Sequence, residues 1–509
     1  MLRRLTSYSN GCLVLLLLFL EASITYSFSA SLACHHGTTS SQLEAHKNKK
    51  SHDRISSRAQ PIDPSEWPSK FPAKESCSKC GLCETSFVEH VKDACAFLDE
   101  GMSKIDSFEP LVHGRSRKNN NADEQRFGVL RQPIQLVRGN VEGSQWTGAT
   151  TGIALSMLET QQVDAVICVA GSDDEGQWSV PRPIIARTKE DVLRGRGVKP
   201  SLSPNLNVLD ELQDDPSIKN LLFCGVGCAV QAFRAVRSKL QHVETAYVLG
   251  TNCADNAPTP EAATAFIRNG MKISSSKTVK GYEFMQDYKV HVKIEDSASG
   301  ESEYVTKPYF SLPAKVAEPS IAYSCRECFD YTNGLADVVI GYMGAPIVPG
   351  MKMDDPQLSQ QTLTVRNDRG LRMVRTAVDQ GRLWINPGPP LDKGGHEGTV
   401  VNTVLSDTLV LRLVDDDLEL PEGMPQWLGN ALAAILGPIG PQGLAFARYS
   451  IDYHILRNYF HVLHRCHGNT TNATKKLPQS SRSIVRSYLD DNPQLQNLEK
   501  RVLERFQSK

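Results

Sequence analysis

The chain has 509 residues, with 56 Lys+Arg against 57 Asp+Glu, 40% hydrophobic residues, 28 Pro and 13 Cys. That length suits two or three domains and excludes a disulfide-stapled mini-protein, and the balanced charge argues against a nucleic-acid binder, which is basic overall. Residues 1–62 hold 7 basic and 3 acidic side chains, so the rest is acidic by 5 and an anionic partner needs a local basic patch.

Arg3 and Arg4 precede an apolar run from Leu13 to Leu20 that ends near Thr25-Tyr26-Ser27. This is the layout of a secretory signal, with an apolar core too short to span a bilayer. From Phe28 to about Asp63 the chain is rich in Ser, Thr, His and Lys and poor in acids, the composition of a transit peptide. Residues 1–63 therefore read as a bipartite presequence, signal plus transit peptide, of the kind that leads to the stroma of a complex, red-lineage plastid. Plain secretion is the alternative, weakly favoured by the sequons at Asn469 and Asn472. A secreted chain pairs its thiols, whereas a reducing stroma leaves them free for metals.

Cys77-Ser-Lys-Cys80-Gly-Leu-Cys83 is a C-x2-C-x2-C run, followed by Cys95. Such a triplet wraps one corner of a cubane cluster and a fourth thiolate completes it. A zinc ribbon uses two C-x2-C pairs and leaves the middle thiolate over, so iron-sulfur is the better reading. Phe87, Val91, Ala94, Cys95 and Leu98 recur at helical spacing, which predicts that Cys95 projects from a short helix. Gln145-Trp146-Thr147-Gly148-Ala149-Thr150-Thr151 precedes an apolar helix running to Leu158. Gly148 and the hydroxyls can present donors to a pyrophosphate at that helix N-terminus, or simply cap the helix.

Val163–Val169 reads as a strand, Asn220–Cys224 as a buried strand, Gly225–Gly227 as a tight turn, and Ala229–Leu240 as a helix with Cys228 at its N-terminus, a position that lowers thiolate pKa. Val243–Leu249 is the next strand, leading to Cys253. Two thiols at the ends of neighbouring strands lie where α/β folds place their sites. Gly225-x-Gly227-x-x-Val230 with Glu244 imitates a dinucleotide fingerprint but lacks its third Gly, leaving a nicotinamide site as a minor alternative. Cys325-Arg-Glu-Cys328 is the close pair downstream. Val365–Asp416, with its Gly-Pro-Pro and Lys-Gly-Gly loops, reads as inserted or elaborated. Leu428–Tyr459 reads as helical, with Arg448, Asp452 and Arg457 on solvated or partner-facing sides. The largely apolar stretch Trp427–Ile439, interrupted by Gly and Pro, is at thirteen residues too short to span a bilayer but suits a substrate cleft or a peripheral plastid-membrane contact. The tail from Asn469 is polar and becomes helical from Ser481.

Nine stretches, taken together and in order, carry a resemblance. They are the Cys77–Cys83 run, Val91-Lys-Asp-Ala-Cys-Ala-Phe-Leu, Gln145-Trp-Thr-Gly, Arg196-Gly-Val-Lys-Pro-Ser-Leu-Ser-Pro-Asn, Phe223-Cys-Gly-Val-Gly-Cys, Leu249-Gly-Thr-Asn-Cys-Ala-Asp-Asn, Tyr282-Glu-Phe-Met-Gln-Asp-Tyr-Lys-Val, Cys325-Arg-Glu-Cys-Phe-Asp-Tyr-Thr-Asn and Ala447-Arg-Tyr-Ser-Ile-Asp-Tyr-His. Residues 76–465 resemble the beta-subunit family of deazaflavin-reducing hydrogenases, and in particular its plastid branch of chlorophyll-pathway reductases.

The resemblance implies an oxidoreductase with two 4Fe-4S clusters and FAD. One cluster falls to Cys77, Cys80, Cys83 and Cys95, the other to Cys228, Cys253, Cys325 and Cys328. Trp146, Thr147, Gly148, Thr150, Thr151, Lys199 and Asn205 fall to the flavin. It further implies reduced ferredoxin as electron donor and a chlorophyll-type tetrapyrrole as substrate. The presequence leans the choice toward the 8-vinyl group of divinyl (proto)chlorophyllide, with the 7-hydroxymethyl group of chlorophyll a as the alternative. A zinc-bound structural protein is the reading from another class. Where the family commonly has Gln after the turn cysteine this chain has Ala229, which puts one polar contact in doubt. Cys168, Cys224 and Cys466 have no assigned role, the catalytic residues are unknown, and Tyr323, Asp330, Tyr331 and His454 are proton-donor candidates by chemistry alone. A homo-oligomer is compatible with the sequence. The expected architecture is a flavin-binding α/β core, residues 128–350, between a small iron-sulfur domain, 64–127, and an elaborated, terminally helical region, 351–509.

Overall fold

The computed structural model describes residues 73–171, 178–296, 300, 302–347, 352, 355 and 357–507. The expected presequence, with Cys12 and Cys34, lies outside the described residues.

Eleven strands are numbered here in chain order: β1 Gln135–Gly139, β2 Ala165–Ala170, β3 Arg182–Ala186, β4 Asn220–Gly225, β5 Thr245–Thr251, β6 Lys277–Phe284, β7 Lys289–Asp296, β8 Ser302–Pro308, β9 Val338–Gly341, β10 Gln361–Val365 and β11 Leu383–Ile385. Eight of them form one sheet in the order β11-β1-β10-β9-β5-β4-β2-β3. Its centre is parallel, β2 with β4, β4 with β5 and β5 with β9. Antiparallel pairs flank it on both sides.

The parallel centre follows from the sequence. β2 and β4 are short apolar runs, the mark of strands covered on both faces. Successive side chains of β4 serve opposite layers. Leu221 and Phe223 enter the core shared with α2 (Gly227–Val236), while Leu222 enters the core shared with α1 (Ala149–Glu159) and α3 (Asp368–Asp379). β6, β7 and β8 form a separate antiparallel sheet between β5 and Cys325, with a bulge between Val279 and Gly281. Residues 73–98 pack on α2, since Leu82, Phe87, Val91 and Ala94 share one core with Val230 and Phe233.

Several expectations need correction. The stretch from Val365 is no insertion: β10, α3 and β11 complete the sheet, because Met373, Val374 and Ala377 give α3 an apolar face that packs on it. The expected helix Leu428–Tyr459 is two, α5 (Gln426–Ile439) and α6 (Leu444–Arg465), preceded by α4 (Glu397–Ser406). Gly443 breaks them with φ +62°, and a Cβ there would meet the Leu391 carbonyl oxygen at 1.8 Å, so no other residue fits. The polar tail from Asn469 is already helical over Thr470–Lys476, capped by Asn469, and continues as α7 (Gln479–Asp491) and α8 (Pro493–Gln507). Asp452 and Arg457 are buried rather than solvated, and Arg448 is half-buried. Asp452 is buried and takes Arg126, His396 and Tyr488. Arg448 bonds Asp123 and Asp392, and Arg457 is buried on Asp255. α6 is enclosed by α4, α7 and α8, which its own periodicity does not reveal. Trp427, Ile435 and Ile439 of α5 are exposed. No helix among the described residues is long and apolar enough to cross a membrane.

Candidate functional site

Cys77, Cys80, Cys83 and Cys95 line one hollow with Gly81, Leu82, Val91 and Leu98. Gly81 makes the turn at φ +90°, and a Cβ on it would meet the Asn207 nitrogen at 2.8 Å. The same turn lets the Cys80 carbonyl accept from the Leu206 N–H at 2.8 Å. Cys95 does not project from a helix. The spacing instead forms a 3-10 turn, Ser86–His90, and one α-turn, Val91–Ala94, and Cys95 leaves it in extended conformation.

Cys228 lies in the first turn of α2, Cys253 follows β5, Cys325 lies within the 3-10 turn Ser324–Glu327, and Cys328 closes it. Cys228 and Cys325 each raise the pKa of Cys253, and Cys228 raises those of Cys325 and Cys328, so these four thiols gather as a second set. The sets are neighbours: the Ser78 hydroxyl bonds Cys228, and Cys228 also acts on Cys80. Burial pushes Cys77 and Cys228 up to about 11 and Cys83 up to about 12. At Cys228 burial outweighs the helix N-terminus, contrary to the expectation of a lowered pKa. Without a metal these thiols stay protonated, so metal binding releases protons.

Several donors point at the sulfurs. The N–H groups of Lys79, Phe97 and Asp330 reach Cys77, Cys95 and Cys328 at 3.2, 3.4 and 3.5 Å, and the Asn256 amide reaches Cys253 at 3.3 Å. N–H to sulfur bonds of this kind tune an iron-sulfur site. Among the described residues no three His, Cys, Asp or Glu side chains converge to hold one ion. A single zinc draws its thiolates to about 2.3 Å from one point, whereas a cubane spreads them around a four-iron, four-sulfide box. Each gathered quartet is a four-thiolate donor set that could hold such a group.

The flavin candidates lie on loops joined by Gln145. Its amide donates to the Tyr282 carbonyl and the Glu283 carboxylate and accepts from the Val198 N–H. The Val198 loop is tied in turn to the Cys253 loop, Leu202 N–H to Ala257 O and Ala257 N–H to Pro200 O. Gly148 starts α1 at φ +78° and no side chain caps the helix, so Thr150 and Thr151 head an N-terminus open to an anion. Thr147 is committed to the fold, its hydroxyl accepting from the Gly139 N–H at 2.8 Å. Asn205 donates to the Cys224 carbonyl. Lys199 donates to Arg196 O and Gly197 O, and burial lowers its pKa to about 8 against the opposing pull of Cys168. Trp146 is buried and stacks on Tyr342, ring centres 5.5 Å apart. Ser144 Oγ, Trp146 Nε1, Ser203 Oγ and both polar atoms of Asn207 are buried without a hydrogen-bond partner. Polar atoms left unmatched on converging loops fit a polar ligand such as a flavin nucleotide.

Three proton-donor candidates are buried within the fold. Asp330 accepts from the Gly334 N–H and fills the space beside Gly227, where a Cβ would meet its Oδ2 at 2.5 Å. The same carboxylate closes the turn that imitates a dinucleotide fingerprint. Tyr331 and His454 pack together beside Arg457, and burial lowers His454 to about 4. Tyr323 is exposed. Ala229 is buried and points its N–H at Cys228, and an amide is supplied two positions on by Gln231, which bonds Gly101 O. Sequence reasoning singled out neither Glu283 nor Tyr342. Glu283 stood out among neither the charges nor the apolar residues of β6, and Tyr342 carried no signal.

The family "Coenzyme F420 hydrogenase/dehydrogenase, beta subunit" matches two segments of the chain, its N-terminal profile over residues 137–210 and its C-terminal profile over 218–390. The chain is 47% identical over 426 residues to the chloroplastic 7-hydroxymethyl chlorophyll a reductase of Oryza sativa subsp. japonica, covering 83% of this chain and 84% of that protein. It is 38% identical over 421 residues to an uncharacterized protein of Nostoc sp., covering 82% of this chain and 95% of the other. It is also similar to a chain of the F420-reducing [NiFe] hydrogenase complex from Methanosarcina barkeri, with 22% identity, TM-score 0.42, and coverage of 51% of this chain and 83% of that one.

Proposed function

Because the chain belongs to the coenzyme F420 hydrogenase/dehydrogenase beta-subunit family and its plastid branch, we propose that this oxidoreductase is a plastid, ferredoxin-dependent reductase of the 7-hydroxymethyl group of chlorophyll a. The observation that carries the choice of substrate is the 47% identity with the rice enzyme over 83% of this chain. It outweighs the presequence argument, which leaned toward the 8-vinyl group.

Reduction of a hydroxymethyl to a methyl group consumes two electrons and two protons and releases water. When bound, two iron-sulfur clusters relay single electrons and FAD converts them to a two-electron reductant. The first quartet of thiols is the candidate holder of one cluster and the second quartet of the other. Ser78, bonded to Cys228, holds the two sets side by side. Gln145 fixes the spacing of the loops expected to bind FAD. The α1 N-terminus offers N–H donors to a pyrophosphate, and Trp146 and Tyr342 form an aromatic wall that excludes water from the adjoining face.

The test is anaerobic purification of the chain without added cofactor, with iron, sulfide, zinc and flavin assayed on one sample. The expected result is about eight iron, eight sulfide and one flavin per chain. With reduced ferredoxin the loaded protein is then expected to consume 7-hydroxymethyl chlorophyll a in preference to divinyl protochlorophyllide. A colourless zinc protein sinks the reductase reading, and the reverse substrate preference restores the 8-vinyl one.

A further inference from the structure

Glu283 is a carboxylic acid with almost no contact with water, 7% exposed, near the end of β6. From the loop before α1, Gln145 donates to Glu283 Oε1 at 2.9 Å, and the Trp146 indole N–H faces the carboxyl but falls short of hydrogen-bond geometry. From the end of β9, Tyr342 gives its hydroxyl to Glu283. The remaining titratable neighbours are the phenols Tyr282 on its own strand and Tyr309 after β8, and His291, its cross-strand partner on β7, which is held by Asp287 at 2.8 Å. No cationic side chain pairs with it among the described residues. A carboxylate so placed is stabilised by neutral donors alone, and burial pushes its pKa up to about 7.

The surroundings point to a use for that proton. Tyr342 is only partly buried, stacks on Trp146 of the loop expected to hold the flavin, and lies near enough to Cys253 for the thiol to act on its hydroxyl. It therefore stands between the flavin loops and the second thiol set, with Glu283 behind it.

We propose that Glu283 and Tyr342 form the proton relay of the reduction, Glu283 storing the proton and Tyr342 passing it to the departing hydroxyl. The inference rests on the functional reading above. In the reaction the substrate C–O bond breaks and a C–H bond forms. Two electrons enter from two equivalents of a one-electron iron-sulfur donor protein. One proton leaves with the hydroxyl as water and the other ends in the new methyl group. Tyr342 gives the first and regains it from Glu283, which is reprotonated from solvent. Glu283 is thus a positioning and proton-holding residue that acts through Tyr342.

The experiment compares wild type, Glu283→Gln, Glu283→Asp and Tyr342→Phe as anaerobic holoproteins with iron and flavin assayed on each. The readout independent of turnover is the infrared band of a protonated carboxyl followed across neutral pH. It is expected to disappear as pH rises through about 7 in wild type and Tyr342→Phe, and to be absent from Glu283→Gln. With reduced ferredoxin and 7-hydroxymethyl chlorophyll a, the wild-type rate is expected to fall above pH about 7. Glu283→Gln and Tyr342→Phe are expected to lose about 10²-fold or more and the pH limb with it, while Glu283→Asp keeps a displaced limb. Unchanged rate and pH profile in fully loaded Glu283→Gln overturn the relay. If that variant loses its flavin, a wild-type profile in Tyr342→Phe and Glu283→Asp overturns it equally. A loaded wild type that shows the titrating band but reduces neither tetrapyrrole overturns the functional reading and supports the buried acid.

Discussion

A single thiol is the smallest unit at which the two-cluster reading can be separated from its rivals. Cys83 is acted on by Cys77 and Cys95 and by no member of the second set, so its loss should be local. Cys83→Ser is expected to lower iron from about eight to about four per chain with flavin retained, and Cys325→Ser to remove the other four, both read by iron assay and visible spectrum. Gly148 is the corresponding residue on the flavin side. At φ +78° a Cβ would lie 2.6 Å from Val141 Cβ, so Gly148→Ala forces apart the turn that starts α1. A strained backbone of this kind costs about 1–3 kcal/mol. Flavin content is expected to drop while iron stays, and a variant that keeps stoichiometric flavin would place the nucleotide elsewhere.

At the scale of elements, α6 is the strut of the second thiol set. Asn458 donates to the Cys325 and Cys328 carbonyls at 2.8 and 2.6 Å, and the preceding residue, Arg457, grips Asp255 through two 2.8 Å bonds. Arg457 is buried and Asp255 is 17% exposed, so removing the arginine leaves a largely desolvated carboxylate without compensation, at a cost of up to about 3–5 kcal/mol. Arg457→Met is expected to lower the urea midpoint accordingly and to release iron, while the double variant Asp255→Asn/Arg457→Met recovers part of the stability. The sequence showed the α5–α6 stretch as helical but placed Arg457 on a solvated or partner-facing side. A helix packed by others on nearly every side has no polar face to read, and a buried arginine looks like an exposed one until its partner, 202 residues away, is brought to it. The β4-turn-α2 unit was legible for the opposite reason, since a strand, a glycine turn and an amphipathic helix are all local. The same limit hid Glu283 and Tyr342, whose pairing joins the end of β6 to the end of β9.

Across the whole molecule, the junction between the N-terminal segment and the sheet is held by a neutral histidine. His113 closes the helix Ile105–His113, meets the Gly334 carbonyl through Nε2 at 2.8 Å and the Asn367 amide through Nδ1 at 3.1 Å. Gly334 follows the second thiol set and Asn367 caps α3, so one ring ties three regions together. The contacts fix the tautomer: Nε2–H donates to the carbonyl and Nδ1 accepts from the amide, which a doubly protonated ring cannot do. Burial, with Arg366 nearby, lowers the pKa to about 4 from an ordinary value near 6.5. The folded state therefore resists protonation more than the unfolded chain. The stability is complete above pH about 6.5 and is lost as pH falls toward 4, a difference of about 3 kcal/mol. Urea unfolding of wild type at pH 7.5 and 4.5 should show that loss. His113→Gln can serve both partners without titrating, so it should be about as stable as wild type at neutral pH and show a shallower acid decline. An equal acid decline in the two proteins would assign the sensitivity to other groups and leave His113 as packing alone.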